Sequence, residues 1–203
     1  DDQALLEGEV LVLSQDTQTF RVTFDTYEEH QVQMVKRSEP EDGITSLVSL
    51  ETNGKFNKIT DDDESPHFLI IGASGISGHG ALGFQGQART TENSSSLHSF
   101  GYLTAEKFNG SYEFVSNSGW GLAFGYNDRT GITNINKAYD YIGIDANQQI
   151  VDVAYNHNII PDIVIVNIGG NDYTSVINNY SGFEKEAKIA EFKRVVAEFI
   201  LKL

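Results

Sequence analysis

The chain has 203 residues, and a hydrophobic fraction of 39% gives it enough apolar side chains for a packed core. Its formal net charge of -15 excludes the basic surface that nucleic-acid binding requires and disfavours docking on an anionic membrane. No apolar run reaches the ~18 residues that a membrane span requires, and there are no cysteines from which a redox compartment could be inferred. A neutral partner such as a polysaccharide is compatible with this composition.

The first third of the chain has the pattern of short β-strands. Apolar and polar residues alternate or cluster in four segments, which are residues 9–13, 20–24, 31–35 and 47–50. Turn-forming residues separate these segments, as in an antiparallel sandwich or jelly roll. A charged stretch ending at Pro66 follows. We therefore expect a β-sandwich or jelly-roll domain over residues 1–66 and a domain boundary near Pro66.

The pattern changes after this boundary. Residues 68–72 and 163–169 are continuous apolar runs ending in glycine, which is typical of buried parallel strands. Residues 112–115 form a shorter strand candidate, and residues 98–108 and 183–203 have helical character. The alternation of strands and helices predicts a layered α/β domain over residues 67–203.

A glycine-rich segment follows the first apolar run and has two interpretations. Gly72, Gly75 and Gly78 match a G-x-x-G-x-x-G spacing, which in dinucleotide-binding folds lets the backbone approach a pyrophosphate. Such a fold needs a second strand ending in Asp or Glu ~20 residues later. Residues 88–96 are polar and lack strand character, so the dinucleotide interpretation is weak.

In the second interpretation Ser74 is a nucleophile placed at the carboxyl end of a parallel strand, where α/β sheets carry their sites. A turn serine without chemistry is the alternative for any isolated serine. Two further segments favour the nucleophile, because Gly119 follows the short strand candidate and Asn171 follows the strongest apolar run. Together the N–H of Ser74, the N–H of Gly119 and the side-chain amide of Asn171 supply three donors for one oxyanion.

These segments resemble the SGNH (GDSL) hydrolases, whose conserved blocks are G-D-S, a glycine block, G-x-N-D and D-x-x-H. Residues 72–74 are similar to the first block, residues 118–119 to the second and residues 169–172 to the third. Residues 161–172 and 30–39 resemble in particular the family-2 carbohydrate esterases. The resemblance implies a flavodoxin-like three-layer α/β/α domain preceded by a partial jelly roll, and removal of O-acetyl groups from polysaccharides by a Ser-His pair without metal or organic cofactor.

Two features depart from the pattern of that family. Ala73 occupies the position of the usual Asp, and no D-x-x-H block occurs in these residues. His79 is the histidine nearest to Ser74 in sequence, but an aromatic residue is common at its position in the family. A serine without a base is a poor nucleophile at neutral pH. We therefore expect Ser74 to be the nucleophile and its base, if there is one, to lie outside these residues.

Several residues have a structural alternative beside a functional one. Trp120 can stack on a sugar ring or pack in the core, and His79 is a second possible substrate contact. Asp172 more often organises a loop than takes part in catalysis. Residues 61–64 are a solvated linker rather than a calcium site, because they lack the loop of an EF-hand. Three N-x-S/T sequons permit glycosylation without showing it; they lie at Asn93, Asn109 and Asn179.

The sequence thus predicts a secreted or extracellular esterase that deacetylates polysaccharides through Ser74. The alternative is a catalytically inactive relative that binds glycans or serves as a structural extracellular protein. Intact Ser74, Gly119 and Asn171 favour the enzyme, whereas Ala73 and the absent histidine block favour the alternative. The sequence specifies neither the glycan nor the oligomeric state.

Overall fold

The fold is that of a computed structural model, which describes residues 3–5, 10–14, 16–57, 65–128, 134–145 and 147–203. By its internal contacts the chain divides into two compact units, Asp1–Val35 and Lys36–Leu203. This division falls nearer the N-terminus than residue 66, where the sequence changes character. The jelly-roll domain and its boundary at residue 66 stay predictions.

The first unit contains two short strands, β1 (Gln3–Leu5) and β2 (Phe20–Val22). They pair in parallel, so the predicted antiparallel pairing is wrong for this pair. Residues 10–13, 31–35 and 47–50 are not strands either. Val32 and Val48 are 58% and 77% exposed. An alternating pattern marks the face that a strand would bury, but a strand also needs a neighbour to bond its N–H and C=O groups.

The second unit is built on a three-stranded parallel sheet. Its strands are β3 (His67–Gly72), β4 (Ser111–Ser116) and β5 (Ile163–Asn167). β3 lies in the centre, with β4 on one side and β5 on the other, and both pairings are parallel. The predicted α/β class and its parallel sheet are confirmed.

Helices accompany the three strands, and their bounds differ little from the predicted ones where a helix was expected. They are α1 (Ser74–Ser77), α2 (Phe100–Lys107), α3 (Ile135–Ala138), α4 (Gly170–Asn179) and α5 (Gly182–Lys202). Single 3₁₀ turns cover Pro40–Asp42, Ser96–His98 and Tyr126–Asp128. In the part of the chain that the structure describes, no helix is long and apolar enough to cross a membrane.

The two faces of β3 pack against different helices, because successive side chains of a strand point to opposite faces. Phe68 and Ile70 join Ile76 of α1 and Ala105 of α2 in one buried cluster. Leu69 and Ile71 belong to a second cluster, whose other buried members are Trp120, Leu122, Ile135, Ala138, Tyr139, Ile144, Val195 and Phe199. Helices thus cover both faces of the sheet.

β5 is less buried than its sequence predicts. Ile163, Val164 and Val166 are each 39% exposed, whereas all six residues of β3 are buried. Within the described residues β5 bonds to β3 alone, which makes it an edge strand. An apolar run identifies a strand, but its burial depends on what packs around it.

Candidate functional site

The loops that carry Ser74, Gly119 and Asn171 emerge from the same edge of the sheet. The last residue of β3, Gly72, is in register with Ser116 of β4 and Asn167 of β5. Because all three strands are parallel, their carboxyl ends lie side by side with Ser74 following the central strand. Ligands of open α/β sheets bind at this edge.

Ser74 is the first residue of α1 and is half-buried. Its hydroxyl and its N–H have no hydrogen-bond partner among the described residues, and the first N–H groups of any helix lack an intrahelical acceptor. Ala73 is the N-cap of α1 and contributes no side-chain hydrogen bond to the helix. The usual Asp at this position would offer such a bond.

Gly78 ends α1 in the left-handed conformation, with a φ of 69°. A Cβ at this position would lie 1.9 Å from the carbonyl oxygen of Ser95. Only glycine therefore fits, since the backbone conformation and the contact both exclude a side chain. The resulting turn packs the Ser74 loop against residues 94–96.

Gly119 lies in the loop after β4, with a φ of +78°. Its N–H also makes no hydrogen bond within the described part of the chain. The following residues are fixed by the carboxylate of Asp172, which is 1% exposed. This carboxylate accepts hydrogen bonds from the N–H groups of Leu122, Ala123 and Phe124 at 2.8, 2.7 and 2.8 Å. Asp172 therefore organises the loop that follows Gly119.

Asn171 lies in the first turn of α4 and is half-buried. Its Nδ2 donates to the carbonyl oxygen of Trp120 at 2.6 Å. An amide nitrogen carries two hydrogens, so this bond orients the group and leaves one N–H for a ligand. Asn171 and Asp172 thus fix the loop after β4 from two sides.

Trp120 is 2% exposed and belongs to the hydrophobic core. This burial favours the packing alternative over stacking on a sugar ring. Its indole Nε1 is a buried donor without a hydrogen-bond partner in the described part of the chain.

His79 belongs to a hydrogen-bonded cluster with Glu39 and Ser118. Its Nδ1 lies 2.7 Å from Ser118 Oγ and 3.2 Å from Glu39 Oε1. Glu39 also accepts from the hydroxyl and the N–H of Ser118, at 2.7 and 2.5 Å. Glu39 is not among the site residues that the sequence motifs predict. It lies 79 residues before Ser118 in the chain, and no local pattern indicates that it is buried.

None of the five histidines hydrogen-bonds to the hydroxyl of Ser74, although all five lie among the described residues. Each has another polar neighbour: Thr26 for His30, Ser111 for His67, Ser118 and Glu39 for His79, Ser95 for His98, and the carbonyl of Tyr139 for His157. Among the described residues the site therefore has a serine and hydrogen-bond donors, but no imidazole hydrogen-bonded to the serine hydroxyl.

A charged cluster borders the Glu39 segment. Arg89 pairs with Asp42 and lies 3.7 Å from Glu41 and 3.8 Å from Glu39. Burial raises the pKa of Asp42, but the hydrogen bond and charge of Arg89 outweigh it and hold that pKa below 3.8. Burial and the negative charge of Glu39 raise the pKa of Glu41 above 4.5.

Two other expectations concern residues away from the strand ends. Residues 61–64, considered above as a linker or calcium site, lie outside the described residues, and within the described ranges no group of carboxylates and imidazoles has the arrangement of a metal site. Asn93 is 8% exposed, and its Nδ2 donates to Ala88 O at 2.9 Å. A glycan at Asn93 is incompatible with this packing, whereas Asn109 and Asn179 are exposed.

Comparison with known proteins shows relatives in one functional class. No protein-family model matches the chain. An acetylxylan esterase/glucomannan deacetylase of Cellvibrio japonicus (strain Ueda107) is 21% identical over 178 residues, which cover 86% of this chain and 48% of that protein. The resemblance to family-2 carbohydrate esterases inferred from the motifs is confirmed.

Two solved structures share the fold. One is a carbohydrate esterase whose active site displays divergent catalytic and non-catalytic binding functions; its TM-score is 0.59 at 22% identity, over 70% of this chain and 46% of that one. The other is an acetyl xylan esterase from the rumen bacterium Butyrivibrio proteoclasticus, with a TM-score of 0.58 at 21% identity, over 74% and 45%. The chain spans about half the length of these relatives.

Proposed function

We propose that this chain, which resembles family-2 carbohydrate esterases in sequence and fold, carries the nucleophile and the oxyanion-binding groups of a secreted serine esterase that removes O-acetyl groups from polysaccharides. Ser74 is the nucleophile, and the N–H groups of Ser74 and Gly119 with the amide of Asn171 bind the oxyanion. The proposal includes the SGNH architecture with a preceding jelly roll.

One observation carries the proposal. Ser74, Gly119 and Asn171 follow three adjacent parallel strands at one edge of the sheet. The N–H groups of Ser74 and Gly119 have no acceptor among the described residues, and Asn171 has one amide hydrogen left after its bond to Trp120. Three N–H donors without an acceptor at one edge of the sheet support a site for a negatively charged oxygen.

The chemistry follows from these positions. Ser74 Oγ attacks the acetyl carbonyl carbon while a histidine base takes its proton, and the three donors stabilise the resulting oxyanion. Collapse of the intermediate breaks the bond to the sugar oxygen, which takes the proton from the histidine. Water then hydrolyses the acetyl-serine and restores the enzyme. No imidazole among the described residues hydrogen-bonds to the Ser74 hydroxyl, so the proposal assigns the base to a histidine outside them.

Release of acetate from acetylated xylo-oligosaccharides tests this proposal, measured on the full-length native protein with the Ser74→Ala variant. We expect Ser74→Ala to abolish acetate release. Ser77→Ala is the matched control, because Ser77 lies in the same helix and its hydroxyl bonds to Ser116 Oγ at 3.1 Å. Unchanged acetate release in Ser74→Ala, or none by the native protein on any acetylated glycan, would overturn the proposal.

A second candidate function is non-catalytic carbohydrate binding. Two features favour it: Ala73 stands in place of the usual Asp, and no imidazole among the described residues hydrogen-bonds to the Ser74 hydroxyl. One relative of the same fold is a carbohydrate esterase whose active site has non-catalytic binding functions. Calorimetric titration with cello- and xylo-oligosaccharides distinguishes the two functions. Binding without acetate release, unaffected by Ser74→Ala, would favour this candidate.

A further inference from the structure

We propose that Glu39 is a positioning residue of the candidate site. Its buried carboxylate holds the backbone that presents the Gly119 N–H, and it also determines which ring nitrogen of His79 carries the proton. The first part deepens the proposed function and rests on it. The second part is a property of the folded chain and stands without it.

Glu39 is buried, although glutamate is normally exposed, and several polar groups surround its carboxylate. The residue is 2% exposed, and three polar atoms lie at its carboxylate: the N and Oγ of Ser118 and the Nδ1 of His79. Arg89 lies 3.8 Å away from the same Oε1 atom. A buried carboxylate is tolerated when hydrogen bonds and an opposite charge compensate for its lost hydration. Because these partners share one carboxylate, removing any of them changes the hydrogen bonds that the others make.

The hydrogen bond from Ser118 to Glu39 lies next to the proposed oxyanion donor, the Gly119 N–H. Glu39 Oε2 accepts from the Ser118 N–H at 2.5 Å, and Gly119 is the next residue. Gly119 has a φ of +78°, so its N–H direction depends on how the preceding peptide is held. Asp172 fixes the residues after Gly119, and Glu39 fixes the residue before it. The Gly119 N–H is thus held by two buried carboxylates, Glu39 on the N-terminal side and Asp172 on the C-terminal side.

The arrangement of protons in the cluster follows from counting donors. A carboxylate only accepts, so the single hydroxyl proton of Ser118 points to Glu39 Oε1. Ser118 Oγ must then accept from His79 Nδ1, which lies 2.7 Å away. The neutral imidazole therefore carries its proton on Nδ1 and has an unprotonated Nε2. The side chain of His79 is 38% exposed, and Nε2 has no partner among the described residues.

The replacement Glu39→Gln makes a specific prediction for this proton arrangement. The amide oxygen of Gln keeps the bond to the Ser118 N–H, whereas its NH₂ group now faces Ser118 Oγ. The Ser118 hydroxyl is then free to donate to His79 Nδ1. The proton of the neutral imidazole consequently moves to Nε2, although the shape of the side chain is nearly unchanged.

Nitrogen-15 NMR of histidine-labelled protein measures this tautomer without any turnover. At a pH above the titration of imidazoles we expect Nδ1–H for His79 in the native protein and Nε2–H in Glu39→Gln. His79→Gln assigns the signals. His157 is the internal control, because its Nε2 donates to the carbonyl of Tyr139 in both proteins. An Nε2–H tautomer in the native protein, or the same tautomer in both, would overturn this part of the proposal.

Kinetics on the full-length protein tests the effect on Gly119. We expect Glu39→Gln to lower kcat by about tenfold to a hundredfold with KM nearly unchanged. The neutral amide oxygen of Gln accepts a weaker hydrogen bond from the Ser118 N–H than the carboxylate does, and a less firmly held donor affects the transition state more than substrate binding. Glu41→Gln is the matched control, because Glu41 lies in the 3₁₀ turn that Glu39 caps, and among the described residues its carboxylate accepts from Gln148 and has no hydrogen bond to Ser118 or His79. If Ser74→Ala abolishes acetate release but Glu39→Gln keeps the native kcat, the positioning role is wrong. If Ser74→Ala has no effect, the proposed function fails instead.

Ser118→Ala keeps the test decisive if Glu39→Gln does not fold. It retains the Ser118 N–H bond and lets His79 Nδ1, already 3.2 Å from Oε1, donate directly to Glu39. We expect the Nδ1–H tautomer to persist and kcat to fall by less than about threefold. A switch to Nε2–H in this variant would show that the hydroxyl sets the tautomer, and would contradict the role of Glu39.

Discussion

Asn171 donates a hydrogen bond from Nδ2 to the backbone carbonyl oxygen of Trp120 at 2.6 Å. This bond connects the first turn of α4, which follows β5, to the loop after β4. It uses one of the two amide hydrogens and aims the other, so Asn171 combines a structural bond with a free donor.

Replacing Asn171 by Ala should remove one oxyanion donor. We expect kcat for acetate release to fall by about 10²–10³-fold, the usual effect of losing such a donor. Steady-state kinetics on the full-length protein measures it. Asn178→Ala is the control, because Asn178 lies in the same helix and bonds to the exposed side chain of Asn127. A native kcat in Asn171→Ala would show that this amide does not face the oxyanion.

Asp172→Asn should destabilise the fold strongly. One carboxylate accepts three backbone N–H groups, and an amide places an NH₂ donor against one or more of them in a buried position. We expect the free energy of unfolding to fall by about 2–4 kcal/mol, measured by urea denaturation. Asp152→Asn, an exposed position, should change it by less than about 0.5 kcal/mol. Equal effects of the two variants would contradict the organising role of Asp172.

Gly78→Ala and Gly80→Ala separate a steric clash from backbone strain. Both glycines have positive φ, 69° and 67°, but only at Gly78 does a Cβ meet backbone, whereas Gly80 faces open space. We expect Gly80→Ala to lower the free energy of unfolding by roughly 1 kcal/mol and Gly78→Ala by about 3 kcal/mol or more. Thermal unfolding compares them. Similar losses would show that the Ser95 segment moves aside at little cost.

The pair of Asp42 with Arg89 predicts a pH dependence of stability. The folded-state pKa of Asp42 lies below 3.8, so its contribution is fully present above that value and is lost as the pH falls through the folded pKa. Glu41 acts in the opposite sense, because its raised pKa makes the folded state gain relative stability as the pH falls towards 4.5.

Arg89→Gln should therefore be less stable than the native protein by about 1 kcal/mol at neutral pH, and the difference should shrink below pH 3.8. Urea denaturation across this pH range measures the difference. Arg194→Gln removes an exposed pair with Glu198 and serves as the control, with a change of less than about 0.5 kcal/mol. A difference independent of pH would contradict the assigned role of Asp42.

The strand ends could be predicted from sequence because each has a local signal. Apolar runs ending near Gly72 and Gly169 marked β3 and β5, and helical spacing marked α5. Ser74, Gly119 and Asn171 follow these signals within a few residues. The three strands pair in the order β4-β3-β5. This order explains why residues far apart in sequence meet at one edge of the sheet.

Glu39 and the exposure of β5 could not be predicted in the same way. Glu39 acquires its role from contacts with His79 and Ser118, 40 and 79 residues away, which no local periodicity encodes. The apolar run that contains Val164 and Val166 predicted the strand. The exposure of these side chains depends on what packs beside the sheet edge, which the run does not encode. The strands expected over residues 31–35 and 47–50 failed for the same reason, because alternation does not supply a partner.

The central claim is that Ser74, Gly119 and Asn171 converge on one oxygen atom. The most direct test is a crystal structure of the full-length protein after reaction with a small alkyl fluorophosphonate. We predict a phosphonate on Ser74 Oγ whose phosphoryl oxygen lies about 2.7–3.1 Å from Ser74 N, Gly119 N and Asn171 Nδ2. A Ser74 adduct whose phosphoryl oxygen faces solvent, with the Asn171 amide turned away from it, would contradict the claim.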